Sequence, residues 1–323
     1  MAFDLVVFNR QVYLVTTETL AQQIQLFNAA SAGAITLVAT SENVGDFVMR
    51  ASFKAIAGLV RRRDVYNGSN AVTEARLQHL QNNSVKVPSG TPPIVWEAAQ
   101  YNWVRQNPEL AAVVIGEQLA IAMLGDMLNV AISGAVAAVS GVAALNHAAA
   151  ATLSFGDLVQ GAGKFGDRQG NLAAWVLHSK SMTDLFGNAV NNNERLFTYE
   201  TVNVIQDPFG RRFVMTDSDS LVDTSSGTKY RTLGLVSGAV MVEQNNDFDA
   251  NLVRENGKEN IQSIYQAEWS YNLGLFGYSW DIASGGKAPS NAAIATAANW
   301  DRTATSVKDT AGVLITTTPK FSV

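Results

Sequence analysis

Alternating apolar and polar residues mark a long hairpin in the first third of the chain. From Phe47 to Ala55 every second residue is apolar or small, and this period of two is typical of a strand. The alternation returns at Ser84–Val87, and Asn67-Gly68 between the two runs is a turn signal. We therefore predict a two-stranded excursion over residues 46–95. Because an isolated hairpin is only marginally stable, it is expected to need a partner surface.

The clearest helix of the sequence follows Asn107, which is a good N-cap residue. Pro108 suits the first position of a helix, and the carboxylate of Glu109 favours its positive end. Apolar residues then keep helical spacing as far as Ile132, which predicts a helix over residues 108–133 with a length of about 39 Å. A narrow polar stripe interrupts an otherwise apolar circumference, so the helix is expected to be largely covered. The stripe consists of Gln118, Asp126, Asn129 and Ser133.

The segments on either side of these elements have weaker patterns. Residues 1–45 are interpreted as an extended arm, with a short strand at Val12–Val15 and a helix at Thr19–Phe27. Ser154–Asp157 fits a capping box that opens another short helix. Alternating short helices and strands then predict an α+β or α/β body over residues 154–282.

Short apolar runs predict the elements of this body. Ala173–Leu177 predicts a buried strand, and Ser179–Leu185 predicts the helix after it. Asn256-Gly257 marks a turn, and Pro289-Ser290 marks the start of a further helix. More strands are predicted at residues 202–205, 212–216, 233–241, 261–269, 276–280 and 303–318.

Charge is scarce along the chain and unevenly placed. The 323 residues include 23 basic and 28 acidic side chains, which gives a net charge of −5. Only 16% of the residues are charged, against about 25% in an ordinary soluble domain. From Gln106 to Gly163 there is no Lys or Arg at all. We infer that something other than water covers part of the surface, which indicates a subunit of a larger assembly.

Composition excludes several classes of protein. The net negative charge and the lack of a basic tail argue against a dedicated nucleic-acid binder. The absence of cysteine excludes a disulfide scaffold, cysteine-ligated zinc, iron–sulfur clusters and thiol catalysis. The residues Met1–Asp4 do not begin a signal peptide. Residues 127–156 are long enough to span a membrane, but their many small residues and the lack of close basic flanks favour a packed helix and a linker.

The search for a catalytic constellation yields only weak candidates. His178 follows an apolar strand, where a general base could lie, but the sequence identifies no partner for it. Asp217 with Asp219, and Asp247 with Asp249, have the form of metal-binding pairs, although Asp is also common in turns that follow strands. A soluble enzyme with its site near His178 and Asp217 stays an alternative, and no catalytic residue, cofactor or metal ligand is assigned.

The densest basic cluster is Arg61-Arg62-Arg63, on the predicted hairpin. A nucleic-acid contact would need more positive charge nearby, and Asp64 and Glu74 oppose it. A solvated turn is the simplest interpretation. We favour a cationic patch that pairs with acidic residues of a neighbouring subunit, because the hairpin needs a partner surface. The candidate inter-subunit contact residues are Arg50, Lys54, Arg61, Arg62, Arg63 and Glu74.

The order of the parts is more informative than any single motif: a thin arm, a long hairpin, a long helix and a compact mixed body. The informative stretches are GDFVMRASFKAIAGLVRRRDVY (45–66), VKVPSGTPPIVW (85–96), NPELAAVVIGEQLAIAMLGDMLNV (107–130) and SFGDLVQGAGKFGDRQGNLAAWVLHSKSMTDLFGNAV (154–190), followed by GRRFVMTDSDS, TKYRTLGLVSGAVMV and PSNAAIATAANWDR. In this order they resemble the major capsid proteins of tailed double-stranded-DNA bacteriophages, which have the Hong Kong 97-type coat fold. Where many of those proteins carry His-Pro before a glycine, this chain has Asn272-Leu273 before Gly274.

The resemblance implies a fold class and a division into domains. The expected fold is α+β, a Hong Kong 97-like phage capsid fold with an N-terminal arm, an extended β-hairpin loop, a peripheral domain with a long spine helix, and an axial domain. The implied domains are the arm (1–45), the extended loop (46–105), the peripheral domain with its spine helix (106–165), the axial domain with returning peripheral strands (166–282) and a C-terminal segment that completes the peripheral domain (283–323).

The resemblance also implies a function and partners. The chain is expected to self-assemble into hexamers and pentamers of an icosahedral phage head that encloses double-stranded DNA. Its expected location is the virion capsid, assembled in the host bacterial cytoplasm. Its expected partners are copies of itself, a portal, a separate scaffolding protein, a cement or decoration protein in some heads, and packaged double-stranded DNA contacted non-specifically, with no membrane. The alternative within the same fold is the shell protein of an encapsulin-like bacterial nanocompartment.

Overall fold

The structure is a computed structural model that describes most of the chain. The described residues are 5–41, 45–53, 60–63, 65–66, 68, 71–72, 74, 76, 79–97, 107–149, 152–186, 194–199, 202–206, 212–225 and 227–319. Within these ranges two long helices and four short ones form. Their bounds are α1 (Leu5–Ala30), α2 (Pro108–Ser140), α3 (Phe155–Gly163), α4 (Ser179–Phe186), α5 (Ile282–Gly285) and α6 (Asn291–Ile294).

The strands of the described ranges belong mainly to two sheets. Their bounds are β1 (Ile35–Ser41), β2 (Phe47–Phe53), β3 (His79–Gly90), β4 (Ile94–Glu97), β5 (Asn146–Ala148), β6 (Leu172–Leu177), β7 (Glu194–Tyr199), β8 (Val202–Gln206), β9 (Arg212–Thr216), β10 (Val222–Asp223), β11 (Lys229–Val236), β12 (Val240–Asn245), β13 (Asp249–Glu255), β14 (Gln262–Leu275), β15 (Tyr278–Trp280), β16 (Trp300–Arg302) and β17 (Gly312–Thr317). The first sheet has the order β1-β12-β14-β3-β2, and β13 and β4 also pair with β14. The second has the order β5-β17-β11-β6-β9-β8-β7, with β10 on β11, and β15 pairs with β16.

Strand β14 organises the first sheet because it changes partners along its length. Its C-terminal half lies between β12 and β3, with Leu273 opposite Val85. Its N-terminal half lies between β13 and β4, with Tyr265 opposite Leu252 on one side and Ile94 on the other. The β2–β3 hairpin therefore leaves the sheet at the C-terminal end of β14, and the β13–β14 hairpin leaves it at the opposite end.

Helix α1 packs against α2, and a glycine lets the two backbones approach closely. Thr16 Oγ1 donates a hydrogen bond to the carbonyl oxygen of Gly116, at 3.2 Å. A Cβ atom at Gly116 would lie 3.1 Å from the carbonyl oxygen of Val12, so a larger residue would push the helices apart. The buried face of α1 has residues at three- and four-residue spacing: Phe8, Val12, Thr16, Leu20, Ile24 and Phe27.

The expectation of an extended arm is wrong for residues 5–30, because they form α1. The strand predicted at Val12–Val15 is wrong, because these residues lie inside α1. The helix predicted at Thr19–Phe27 is confirmed as part of α1. The β-branched residues of the segment favour a strand locally. Burial of one face of the helix against α2 outweighs this local preference, so the segment is helical. Residues Ile35–Ser41 then pair in parallel with β12 and join the first sheet.

The predicted hairpin strands and capping box are confirmed. Phe53 of β2 lies opposite His79 of β3, and the ladder continues back to the start of β2. Asn67 of the predicted turn lies outside the described residues. At the start of α3, the Ser154 side chain accepts the backbone N–H of Asp157, and the Asp157 side chain accepts the backbone N–H of Ser154.

The predicted long helix is also confirmed, and it continues past residue 133 to Ser140. Asn107 precedes it as predicted, but its side chain makes no capping hydrogen bond. Among the described residues, the segment Glu109–Ser140 is long and apolar enough to cross a membrane, yet 67% of its most apolar window is buried inside the molecule. This burial agrees with the interpretation as a packed core helix.

Several strands differ from their predicted bounds. The run predicted at 233–241 forms two strands, β11 and β12, because Gly238 turns the chain with a φ of 69°. The run predicted at 303–318 is a strand only over β17, and the run predicted at 261–269 continues to Leu275. The pattern does not predict β13, whose sequence DANLVRE is mostly polar.

Candidate functional site

Ion pairs hold the root of the β2–β3 hairpin against the rest of the subunit. Lys287 Nζ lies 2.8 Å from a carboxylate oxygen of Asp46, and its hydrogen bond and charge hold the pKa of Asp46 below its usual value. Lys86 Nζ lies 3.1 Å from a carboxylate oxygen of Asp247. Burial raises the pKa of Asp247, but hydrogen bonds from Ser270 and Lys86 outweigh burial, so the pKa lies below its usual value.

Two of the predicted inter-subunit contact residues have partners within their own subunit. Arg50 forms an ion pair with Glu243 of β12, and the Glu243 side chain is only 14% exposed. Glu74 lies 3.3 Å from Arg76, and both of these side chains are well exposed. For Arg50 and Glu74, a role between subunits stays a prediction, and contact with a neighbour would compete with these internal pairs.

The other predicted contact residues lie between β2 and β3, in the segment that we call the distal loop (residues 54–78). Arg61–Arg63 are all exposed, and Lys54 lies outside the described residues. The ion pairs found among the described residues do not include Arg61–Arg63. By sequence the distal loop has five basic and two acidic residues, a net charge of 5 − 2 = +3.

A second protrusion has the opposite charge, and the sequence pattern predicts its turn and its strand from residue 261 but not β13. We call it the acidic projection, and it consists of β4 (94–97) and of residues 249–268, which contain β13, a turn and the first half of β14. These segments have five acidic and two basic residues, a net charge of 2 − 5 = −3. The turn predicted at Asn256-Gly257 lies between β13 and β14, so this dipeptide could also have indicated a hairpin.

A groove of about 540 Å³ lies at the base of the acidic projection, where β14 changes partners. Asp249 and Glu268 line this groove, lie directly opposite each other on β13 and β14, and are both exposed. Glu268 accepts a long hydrogen bond from Gln266 Nε2, at 3.4 Å. Lys86 also lines the groove, but its Nζ pairs with Asp247. The groove therefore presents two opposed carboxylates.

His178 and Asp217, the residues of the enzyme alternative, bond the first backbone N–H groups of α4. His178 Nδ1 accepts the N–H of Lys180 at 3.1 Å, and Asp217 Oδ1 accepts the N–H of Ser179 at 3.2 Å. Burial lowers the pKa of His178, and the carboxylates of Asp217 and Asp219 only partly oppose this effect. The arrangement gives both side chains a structural role at the start of a helix.

The two predicted Asp pairs do not assemble into metal centres. Over the described ranges, no group of three or more His, Cys, Asp and Glu residues is placed to hold a metal ion. The carboxylate of Asp247 is instead engaged by Ser270, whose backbone N–H donates to it at 2.9 Å. Its predicted partner Asp249 belongs to the groove of the acidic projection.

Large apolar side chains remain exposed along α1 and at the start of α2. The accessible surface of the chain is 17263 Å², whereas a compact monomer of this mass is expected to expose about 13,000 Å². An extended shape with exposed apolar faces is typical of a subunit that buries surface against neighbours. The exposed apolar residues of the two helices are Val7, Leu14, Leu26, Leu110, Val113 and Val114.

Solved phage capsid structures have the same fold. The cyanophage Pam1 capsid asymmetric unit is 10% identical, with a TM-score of 0.51 and coverage of 89% of this chain and 90% of that chain. The capsid of Ralstonia phage GP4 is 9% identical, with a TM-score of 0.51 and coverage of 90% and 88%. At these identities the likeness establishes the fold alone, and it confirms the predicted phage capsid fold.

Sequence comparison then establishes the family. The model of the Gp13-like family, described as major capsid protein 13-like, matches residues 4–314. No curated protein matches the chain significantly. Because the family match covers nearly the whole chain, the chain belongs to the major capsid protein 13-like family. This is a family of structural coat proteins, so the enzyme alternative loses its support.

Proposed function

We propose that the protein is the coat subunit of a tailed-phage head. Copies would assemble as hexamers and pentamers of an icosahedral shell, around double-stranded DNA, in the cytoplasm of the host bacterium. Membership of the major capsid protein 13-like family is the observation that carries this function. The exposed apolar faces of α1 and α2 support it, because subunits of permanent assemblies bury such surface against their neighbours.

The proposed shell subunit has the same five parts that the resemblance implies, but the description of the arm changes. The arm contains a helix, α1, and a strand of the first sheet, so residues 5–30 and 35–41 are packed parts of the subunit. Helix α2 would be the rigid spine of the peripheral domain, since most of its apolar surface is buried. The parts are the arm (1–45), the extended loop (46–105), the peripheral domain (106–165), the axial domain (166–282) and the C-terminal segment (283–323).

The direction of the β2–β3 hairpin supports a contact with an adjacent copy. The hairpin leaves the sheet beyond the C-terminal end of β14, so its strands β2 and β3 extend away from the body of their own sheet. The paired strands and the ion pairs at the root hold this direction. The distal loop would therefore lie over the neighbouring subunit of the same ring.

Other components of a phage head are part of the proposed function. A portal and a separate scaffolding protein would direct assembly, and a decoration protein would bind outside in some heads. Packaged DNA would touch the wall without sequence preference. The net charge of −5 supports this last point, because a strongly basic wall would hold phosphates tightly.

Electron microscopy of the protein expressed in a bacterium tests the function. We expect closed shells with hexameric and pentameric capsomers, and heads filled with DNA and bearing a tail vertex when the other phage proteins are present. Small shells without a portal vertex, loaded with a host protein, would favour the nanocompartment alternative. A protein that stays monomeric over a broad concentration range, with or without a scaffold, would overturn the proposed function.

A further inference from the structure

Two exposed carboxylates of the acidic projection lie in an arrangement that is unfavourable in an isolated subunit. Asp249 and Glu268 are directly opposite each other on antiparallel strands. Like charges at such positions destabilise a sheet, because the two Cβ atoms are only about 5 Å apart. Among the ion pairs of the described residues, neither carboxylate has a cationic partner, since Lys86 in the same groove pairs with Asp247. The groove therefore has space for a cation that none of the ion pairs among the described residues supplies.

The distal loop has the matching charge. It carries a net charge of +3, and the acidic projection carries −3. The three consecutive arginines Arg61–Arg63 are exposed and have no carboxylate partner among the described residues. A guanidinium group binds a carboxylate through two parallel hydrogen bonds, which makes arginine well suited to a site with two carboxylates.

The sheet register separates the distal loop from the groove of its own subunit. Glu268 lies five residues from Leu273 along β14, and His79 lies six residues beyond Val85, the partner of Leu273. Eleven residues of strand correspond to about 37 Å. The distal ends of β2 and β3, at Phe53 and His79, therefore lie at the opposite end of the sheet from the groove.

We infer that the groove between Asp249 and Glu268 receives the arginines Arg61–Arg63 of a second copy of this chain. This inference rests on the proposed function, because it requires that copies assemble, and it names the surface on which the distal loop docks. Each copy contributes a loop to one neighbour and a groove to another, so the contact runs head to tail. Contacts of this kind produce closed rings when the rotation between copies closes.

Neutralising Asp249 and Glu268 should raise the stability of the free subunit or leave it unchanged, but it should weaken assembly. In Asp249→Asn/Glu268→Gln the like-charge repulsion disappears, so the melting temperature of the free subunit should rise or stay unchanged. The arginines of the neighbour lose their partners, so the concentration needed for shell formation should rise about tenfold or more, the effect of one lost contact of ordinary strength. Sedimentation at low salt measures the assembly threshold, because salt screens exposed charges.

The matched control is Asp219→Asn/Asp301→Asn, which removes two exposed carboxylates outside the acidic projection and outside helices α1 and α2. It should assemble at the concentration of the unaltered protein. An equal rise of the threshold in both variants, or no rise in Asp249→Asn/Glu268→Gln, would overturn the inference. The unaltered protein is measured beside them, and its failure to form shells would count against the proposed function instead.

A charge exchange provides the second test. Arg61→Glu/Arg62→Glu/Arg63→Glu should lose assembly, and so should Asp249→Arg/Glu268→Arg. The chain that carries all five substitutions should regain assembly, because each copy then offers an acidic loop to a basic groove. Absence of any recovery in that chain, with a normal circular dichroism spectrum, would refute the docking of the loop in this groove.

Discussion

Replacing the distal loop by a tight turn should stabilise the subunit and abolish its assembly. Phe53 and His79 lie opposite each other at the end of the β2–β3 ladder, so a two-residue Asn-Gly turn can join them directly. The whole ladder from Phe47 to Phe53 is kept, and so is the pairing of β3 with β14. A larger deletion that removed β3 would break the first sheet and would test folding rather than contact.

The size of the stability change follows from loop-closure entropy. Residues 54–78 form a loop of 25 residues, and shortening it to two lowers the closure cost by about 2 kcal/mol. For a chain of this length that corresponds to a rise in melting temperature of about 3 °C. Shell formation should disappear at the same time, because the segment that reaches the neighbour is gone.

A second variant separates the length of the loop from its contacts. Replacing residues 54–78 by a Gly/Ser linker of 25 residues keeps the closure entropy near that of the unaltered chain. It should melt as the unaltered subunit does and should also fail to assemble. Thermal melting followed by circular dichroism, and negative-stain microscopy of the same samples, measure the two effects. Normal shells from either variant would show that the distal loop is not an assembly contact.

Two further predictions concern the second sheet and its edge. An added Cβ in Gly312→Ala would overlap the carbonyl oxygen of Gly234 on the facing strand. Denaturant unfolding should therefore show that the free energy of unfolding falls by about 3 kcal/mol or more. The control is Gly170→Ala, which has open space around it and should lower the free energy of unfolding by less than about 0.5 kcal/mol. Hydrogen bonds from Ser225 lower the pKa of Asp223 to about 2, so its contribution to stability is complete above the ordinary value of 3.8 and is lost as the pH falls through about 2. In urea unfolding, Asp223→Asn should reduce the loss of unfolding free energy between neutral pH and about pH 2 by about 1–2 kcal/mol, and an unchanged pH profile would contradict this assignment.

Elements whose conformation is set by near neighbours in sequence are predictable from the sequence. The capping box at Ser154 and the helix that begins at Pro108 depend on residues within one turn, and both are confirmed. Helix α1 is different, because its β-branched residues favour a strand and only its packing on α2 overrides them. The polar strand β13 also forms only because β14 offers it an edge.

The groove could not be predicted, because its two carboxylates are distant in sequence. Asp249 and Glu268 lie 19 positions apart and become opposite only through the register of the β13–β14 ladder. By sequence alone, Asp249 has the form of a partner of Asp247 in a metal-binding pair. In the structure Asp247 bonds to Ser270 and Lys86, and Asp249 stands on a neighbouring strand. Pairing register, which no local pattern specifies, therefore decided the chemistry of this site.

The distribution of charge along the chain affects both the contact between copies and the net charge of the shell wall. The distal loop contributes +3 and the acidic projection −3, so the rest of the chain retains −5 − (3 − 3) = −5. If the distal loop of each copy neutralises the acidic projection of its neighbour, these opposite charges pair with each other and no longer contribute to the charge of the exposed surface. What remains exposed has the same sign as DNA phosphates, so the assembled wall would hold packaged DNA only weakly. The two hairpins leave the first sheet at opposite ends of β14, which favours neutralisation between copies over neutralisation within one subunit.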